Sequence, residues 1–520
     1  MREDWIECSF EDLLDYEQPT KYIVESTKYS DDYKIPVLTA GKTFIKGYTN
    51  ETNGVFDNLP TIIFDDFTTA SQFVNFKFKV KSSAMKILVP TSKLVNMQYV
   101  FYAMQVNRVR NDTHKRYWIS VYAKKKILLP SLVEQRAIVA KIESLFSGLD
   151  NGIANLKKAQ EQLKIYRQAV LKKAFEGELT KEWREEIVKT HGRASQRADL
   201  LPTAEELLEQ IKEERQKHYE KQIEDWKKAL KEWELAVKTH GRASQPKKPS
   251  KPKKLKELPP LTADELKELS ALPKSWKWVK VDKIIEHNSY SIKAGPFGSS
   301  LKKSFYVETG YKIYGQEQVI AGNHKIGDYY INEEKYQDLI SCAVKPRDIL
   351  ISLVGTIGKV LILPTEIEKG VINPRLIKIT LNNFFKQEFF KYYFESSYLK
   401  SLYAHKSHGA TMDIITMGII QELPFPLLSI PEQHQIVQEI ETRLSVCDKV
   451  EQSITESLEK AKALRQSILK KAFEGKLLTE QEIESCKQEP DYEPASVLLE
   501  KIKAEKLAKE QEAKKTKKKK

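Results

Sequence analysis

The sequence predicts an α+β chain in which two mixed domains are joined by two long helices, packed antiparallel as a coiled coil in a pseudo-two-fold arrangement. Three observations carry that prediction: a segment of 46 residues recurs without a gap, each copy has the apolar spacing of a helix seam, and unlike inserts stand at matching places in the two halves. With 520 residues, 41% of them hydrophobic and 10% aromatic, the chain has material for two or three cores, which excludes wholesale disorder.

The repeat begins at Glu134 as EQRAIVAKIESLFSGLDNGIANLKKAQEQLKIYRQAVLKKAFEGEL and returns at Glu432 as EQHQIVQEIETRLSVCDKVEQSITESLEKAKALRQSILKKAFEGKL. The offset is 298 throughout, and 20 of the 46 aligned positions are identical, too many for two unrelated amphipathic helices. The likeness extends on both sides. LPTAEELLEQIKEERQK from Leu201 matches YEPASVLLEKIKAEKLAK from Tyr492, and Trp5 and Trp276 head short segments with apolar residues at corresponding places.

In the first copy Ile142, Leu145, Leu149, Ile153, Leu156, Ala159, Leu163, Tyr166 and Val170 recur every three or four residues. The second copy offers Ile440, Leu444, Cys447, Val450, Ile454, Leu458, Ala461, Leu464 and Ile468. Each copy ends at a glycine, Gly177 or Gly475, behind a Lys-Lys pair, as expected where a helix stops and cations sit near its negative end. Helices of this length extend roughly 65–70 Å at 1.5 Å per residue. Neither stripe can stay in water, and packing the two on each other buries both. A separate helical hairpin in each half, or an intermolecular coiled coil, satisfies the same periodicity.

In chain order the domains are therefore a first variable domain (1–128), a first repeated helical region (129–180), a charged helix and Pro/Lys-rich linker (181–275), a second variable domain (276–427), a second repeated helical region (428–479), and a charged helix with a basic tail (480–520). The stretch PKKPSKPKKLKELPP reads as an extended, mobile spacer, with no aromatic residue among its lysines, and the terminal KKTKKKK reads as disordered. The nonapeptide VKTHGRASQ occurs at Val188 and again at Val237. His191 and His240 within it have no companion ligand nearby, so it reads as a duplicated insertion without a site.

A net charge of +14 and a pI near 9.1 point to an acidic polymer as partner, a nucleic acid or an anionic membrane. Cys8, Cys342, Cys447 and Cys486 show neither zinc-ligand spacing nor a secreted disulfide framework, which fits a reducing compartment. The N-terminus lacks the apolar core of a signal peptide, and no apolar run approaches the roughly 20 residues a membrane span needs. The expectation is a cytoplasmic protein without membrane contact.

LLPSLVEQRAIVAKIESLF and PLLSIPEQHQIVQEIETRL, leading to RQAVLKKAFEGEL and RQSILKKAFEGKL, resemble the paired helical regions of type I restriction-modification specificity subunits. GPFGSSLKKS from Gly295 and KPRDILISLVGTIGKV from Lys345 resemble the family's target-recognition domain. The resemblance implies that each variable domain reads one half of a bipartite double-stranded DNA target, while the helices fix the spacer and dock modification subunits. It also implies restriction subunits as partners, with S-adenosylmethionine, ATP and Mg bound in those partner subunits and no cofactor or metal in this chain. A duplicated frame with unlike inserts suits two different half-sites. A non-catalytic coiled-coil adaptor that reads no sequence is the alternative.

Three catalytic look-alikes fail on their own chemistry. GTIGK at Gly355 lacks the first glycine of a phosphate loop and has Val360 where Ser or Thr would meet magnesium. Asn373-Pro374 opens like an adenine-methyltransferase motif but continues with Arg375 and Leu376, and no glycine-rich cofactor loop precedes it. Asp65 and Asp66 have no Glu-x-Lys at useful spacing and read as a turn. No catalytic residue is expected. DNA contact is expected instead, because Lys, Gln, Ser and Thr side chains grip phosphates or read base edges. The candidates are Lys42, Lys46, Tyr48, Lys81 and Ser82 in the first variable domain, and Ser299, Ser300, Lys302, Lys303, Gln316, Lys406, His408 and Thr411 in the second. For each of them a solvated loop is the competing account.

Overall fold

The computed structural model describes residues 2–39, 41, 43–107, 117–191, 201–239, 248–252, 254, 257–353, 358–406 and 416–518. It divides into two compact units, residues 1–159 with 452–520, and residues 160–451. Two helices of 44 residues, Leu132–Phe175 and Ile430–Phe473, carry the repeat, and each passes from one unit into the other. No described helix is long and apolar enough to cross a membrane.

Each insert opens with the same step. Strand Ile6–Ser9 pairs antiparallel with Lys126–Leu129, and Lys277–Lys280 pairs with Pro424–Leu427, so each insert leaves and re-enters the frame on adjacent strands. The chain then turns into a long helix, and the Glu-Gln pair that starts each repeat fixes the turn. Gln135 Nε2 donates to the Pro130 carbonyl at 2.9 Å, and Gln433 Nε2 donates to Leu428 at 3.0 Å. Trp5 Nε1 donates to Glu134 at 3.1 Å, and Trp276 Nε1 to Glu432 at 2.8 Å. Both glutamates are buried, and a buried carboxylate is costly unless it is paired. Arg2 pairs with Glu134 at 2.6 Å and Arg184 with Glu432 at 2.5 Å, and each guanidinium also lies over the tryptophan of its cluster.

Within each unit the two long helices run antiparallel. Ile138, Val139 and Ile142 share the first unit's core with Ile468, Leu469 and Ala472. Ile436, Val437 and Ile440 share the second unit's core with Val170, Leu171 and Ala174, the same positions moved by the repeat. Arg465 meets Asp150 at 3.0 Å and Arg167 meets Asp448 at 2.7 Å, again one pair related by the offset. An Ile or Leu side chain stabilises by roughly 1.5–3 kcal/mol when fully buried, against roughly 0.2–1 kcal/mol for an exposed ion pair. The apolar seam therefore drives the pairing, and the ion pairs mark its register.

Both long helices stop at a left-handed glycine, Gly177 (φ +77°) and Gly475 (φ +73°). A side chain at Gly177 would strike Pro273 and one at Gly475 would strike Arg2, residues that stand three before Trp276 and Trp5. The helices that follow also correspond. Ala204–Thr239 buries Ala204, Leu207 and Ile211 in the second unit, and Ala495–Lys518 buries Ala495, Leu498 and Ile502 in the first. Each unit thus receives the flanking helix that follows the other repeat copy.

Two expectations need correction. The C-terminal helix runs through Lys518, so much of the lysine-rich tail has helical backbone in place of the expected disorder. The described part of the Pro/Lys linker has no regular secondary structure, but it lies against the helix before it. Trp226 Nε1 donates to the Pro249 carbonyl at 3.1 Å, and Lys251 and Lys248 lie over the rings of Trp226 and Trp233. The nonapeptide's Gly192–Gln196 and all of 240–245 fall outside the described residues; His191 ends the helix Lys181–His191.

The inserts, unlike in sequence, share a topology. In the first, an antiparallel sheet runs in the order Leu14–Glu17, Met85–Pro90, Thr61–Asp65, Ser71–Val74. In the second the order is Ile292–Ala294, Leu376–Ile379, Ile349–Ser352, Val360–Ile362, with the same sequence of crossings. A second sheet in each has a strand paired antiparallel on one side and parallel on the other: Ile35–Leu38 between Ile45–Thr49 and Lys79–Val80, and Tyr311–Tyr314 between Tyr330–Ile331 and Gly370–Ile372. A helix then anchors each insert to its frame. Tyr99 and Tyr393, both fully buried, donate their hydroxyls to the exit strands at Leu128 and Pro424, each at 2.7 Å.

Candidate nucleic-acid interface

In the first insert the predicted residues gather on the small three-stranded sheet. Lys46 and Tyr48 lie two apart on the edge strand Ile45–Thr49 and so share a face; Lys46 is exposed and Tyr48 half-buried. Lys81 and Ser82 follow the opposite edge strand and are exposed, with the Lys81 N–H donating to the Leu38 carbonyl at 3.1 Å. Lys42 lies outside the described residues; nearby, Thr39 donates its N–H to the Phe44 carbonyl and its hydroxyl to the Thr43 carbonyl. Lys79, a strand neighbour, is excluded from this surface because it is buried and paired with Glu51 at 2.7 Å.

In the second insert a one-turn helix, Gly298–Ser300, presents Ser299 and Ser300, and Lys302 and Lys303 follow it on the surface. The loop before them is clamped: a Cβ on Gly295 would stand 1.8 Å from the Asn373 carbonyl, so only glycine lets the loop approach. Across that contact Arg375 is exposed, with its guanidinium 3.5 Å from Gln316 Oε1, while Gln316 Nε2 donates to Ser352 Oγ at 2.7 Å. Gln316, Ser352 and Arg375 form one polar cluster, and Phe297, two residues after Gly295, is 87% exposed. Lys406 ends the helix Ser397–Lys406, and His408 and Thr411 lie outside the described residues. Exposed Lys, Arg, Gln and Ser with an unburied aromatic are the side chains that hold phosphates and read base edges.

Residues 273–460 match the family described as the type I restriction modification DNA specificity domain. Over that segment, and over the stretches shared with the relatives below, the chain is similar to type I restriction-modification specificity subunits. It is 43% identical over 196 residues to the Type I restriction enzyme EcoR124I/EcoR124II specificity subunit of Escherichia coli, covering 35% of this chain and 48% of that one. This chain thus spans about half the length of that relative. It is 23% identical to the Escherichia coli EcoDI specificity subunit over 389 residues, 74% of this chain and 69% of the relative. A chain solved in work on complex assembly and conformational transition of the type I R-M system superposes with a TM-score of 0.56 at 15% identity, over 92% of this chain and 99% of that chain. That last likeness concerns the fold.

The described residues of the three catalytic look-alikes have structural partners. Strands Ile349–Ser352 and Val360–Ile362 pair antiparallel on either side of GTIGK, of which Gly358 (φ +78°) and Lys359 are described. Asn373 closes a turn, its Oδ1 accepting from the Arg375 N–H at 2.9 Å. Asp65 accepts from the N–H groups of Phe67 and Thr68, and Asp66 from Trp118, with Lys86 at 3.9 Å. The sequence reading missed Arg375 and Phe297 as surface candidates. Arg375 had been considered only as the residue that spoils a motif, and an aromatic flanked by Pro296 and Gly298 was the available sign of an exposed loop tip.

Proposed function

We propose that this chain is the sequence-reading subunit of a type I restriction-modification complex, acting on double-stranded DNA. Residues 1–128 and 276–427 each read one half of a bipartite target, the two long helices set the spacer and dock modification subunits, and the chain itself performs no catalysis. S-adenosylmethionine, ATP and Mg then belong to the modification and restriction subunits, and the complex works in the cytoplasm. The observation that supports this reading most directly is that one scaffold occurs twice with different side chains on it: Lys46, Tyr48, Lys81 and Ser82 on one insert, and Ser299, Lys302, Gln316 and Arg375 on the other. Equivalent scaffolds with unlike surfaces suit two different half-sites.

The test is binding of random genomic fragments by the chain reconstituted with modification subunits. Enrichment of one split sequence is expected, and replacing residues 281–427 with the matching segment of a relative should change one half of it only. Binding without sequence preference would leave the adaptor reading. Methyl transfer to DNA by the chain alone, with labelled S-adenosylmethionine, would refute the non-catalytic role.

A further inference from the structure

In the second unit a cavity of about 470 Å³ lies between the helix Ala204–Thr239 and the second insert, with Glu214, Arg215, His218, His287, Arg347 and Asn382 in its wall. Arg215 and Asn382 are only 9% and 8% exposed, yet Arg215 Nε and Asn382 Nδ2 have no hydrogen-bond partner, nor has His218 Nδ1. The remainder of each group is committed. Arg215 Nη2 donates to the Asp282 carbonyl at 2.7 Å and Nη1 to Glu257 at 3.3 Å, while Asn382 Oδ1 accepts from the Phe384 N–H at 3.1 Å, which fixes the amide with its NH₂ left over. Buried donors without acceptors are rare because they lose water and gain nothing, and two on one cavity ask for an acceptor inside it.

The carboxylates narrow the choice. Glu286 is engaged by the Ser291 hydroxyl at 3.1 Å and by Lys345 at 3.8 Å, while Glu214 also lines the space. An anion beside Glu214 is tolerated when it brings a proton of its own. We propose that this cavity binds a phosphate group carrying a proton, as inorganic phosphate or a phosphomonoester, with Arg215 and Asn382 donating to its oxygens and Glu214 accepting from its P–OH. A phosphomonoester has a second pKa near 6, so beside a carboxylate it takes up a proton at little cost, whereas sulfate and the phosphodiester backbone of DNA take up none near neutral pH. The volume exceeds that of a lone phosphate, since one water occupies about 30 Å³, so an organic part fits beside the anion. Burial and Arg215 hold the His287 imidazole below its ordinary pKa, so the positive charge of the wall comes chiefly from Arg215 and Arg347.

The cavity wall contains none of the candidate DNA-contact residues, and its test uses no DNA. Thermal unfolding of the full chain is followed with inorganic phosphate, ribose 5-phosphate or sulfate at matched ionic strength. The midpoint should rise saturably with phosphate, at lower concentrations with ribose 5-phosphate, and not with sulfate. Asn382→Asp keeps the acceptor for Phe384 but replaces the free donor with negative charge, and should weaken phosphate at least about tenfold. Glu214→Gln, a change on a half-buried helix position, should admit sulfate. The proposal is overturned by the absence of a saturable shift with either phosphate, by an equal shift with sulfate in the unaltered chain, by unchanged binding in Asn382→Asp, or by a Glu214→Gln chain that still ignores sulfate.

Discussion

In the first unit the guanidinium that neutralises the buried glutamate comes from Arg2, three residues before Trp5. In the second it comes from Arg184, on a helix that follows the first repeat and lies far before Trp276 in the chain. The position that corresponds to Arg2 is Pro273, and the one that corresponds to Arg184 is Glu482, which pairs with Lys141. The two copies therefore differ at both places that supply the charge, yet each sets a guanidinium on its glutamate and over its indole. What the duplicated frame keeps is an electrostatic requirement, compensation of a buried carboxylate, and the sequence position that meets it is free to change.

Breaking the two clusters separately tests this most strongly. Arg184→Ala should destabilise the second unit by roughly 3–5 kcal/mol, because Glu432 is left buried without a cation and the bonds from Arg184 to Thr180 and the Gly177 carbonyl are lost too. Arg2→Ala should cost less, about 1.5–3 kcal/mol, since the other partner of Arg2 is the exposed Asp4. Regional amide hydrogen exchange reads each unit on its own, and equal losses would contradict the ranking. Transplanting the charge sharpens the comparison. In the Arg184→Ala background, Pro273→Arg should recover about 1–2 kcal/mol of local protection, less than the full loss because a proline is given up as well.

Acid provides a gentler perturbation. Burial pushes the Glu134 carboxyl above its ordinary value of 4.5 despite Arg2 nearby. A raised folded-state value means that stability is fully present below the ordinary value and is lost as pH rises through the raised one. Amides of the strand Ile6–Ser9 should therefore gain protection as neutral solution is acidified toward 4.5, and Glu134→Gln should flatten that dependence. The smallest effects belong to the helix seam. Arg167→Ala should cost roughly 0.2–1 kcal/mol and fade with salt, since Asp448 is largely exposed. Arg465→Ala should exceed it by about 0.5–1 kcal/mol, because Arg465 also lies over the ring of Phe146 at 4.2 Å. Chemical unfolding of the two variants at low and high salt checks the order.

The frame could be read from the sequence because a repeat turns similarity into geometry: Glu134 with Glu432 and Gly177 with Gly475 announced where helices begin and end. Trp5 and Trp276 stood out as paired positions, but their acceptors did not, since each lies more than a hundred residues away. The common topology of the inserts was hidden for another reason. Strands of two to six residues are specified by which face is buried, and many side chains satisfy that equally. Linker lysines looked solitary because Trp226 and Trp233, their ring partners, sit on the preceding helix. On the candidate interface, lysines and serines in glycine-rich segments were visible as types, whereas Arg375 joins Gln316 only through the turn at Asn373.

The exchange of flanking helices has a consequence for synthesis. The second unit is one unbroken stretch, 160–451, and can close as soon as it has left the ribosome. The first unit cannot, because its core requires Ile468, Leu469, Leu498 and Ile502, which are translated only after residues 160–451. At about 5–20 residues per second, the nearly 300 residues between its two parts take roughly 15–60 s to make. During that interval the apolar residues at the start of the first long helix wait without their partners, and this nascent segment is where a chaperone would have its longest hold.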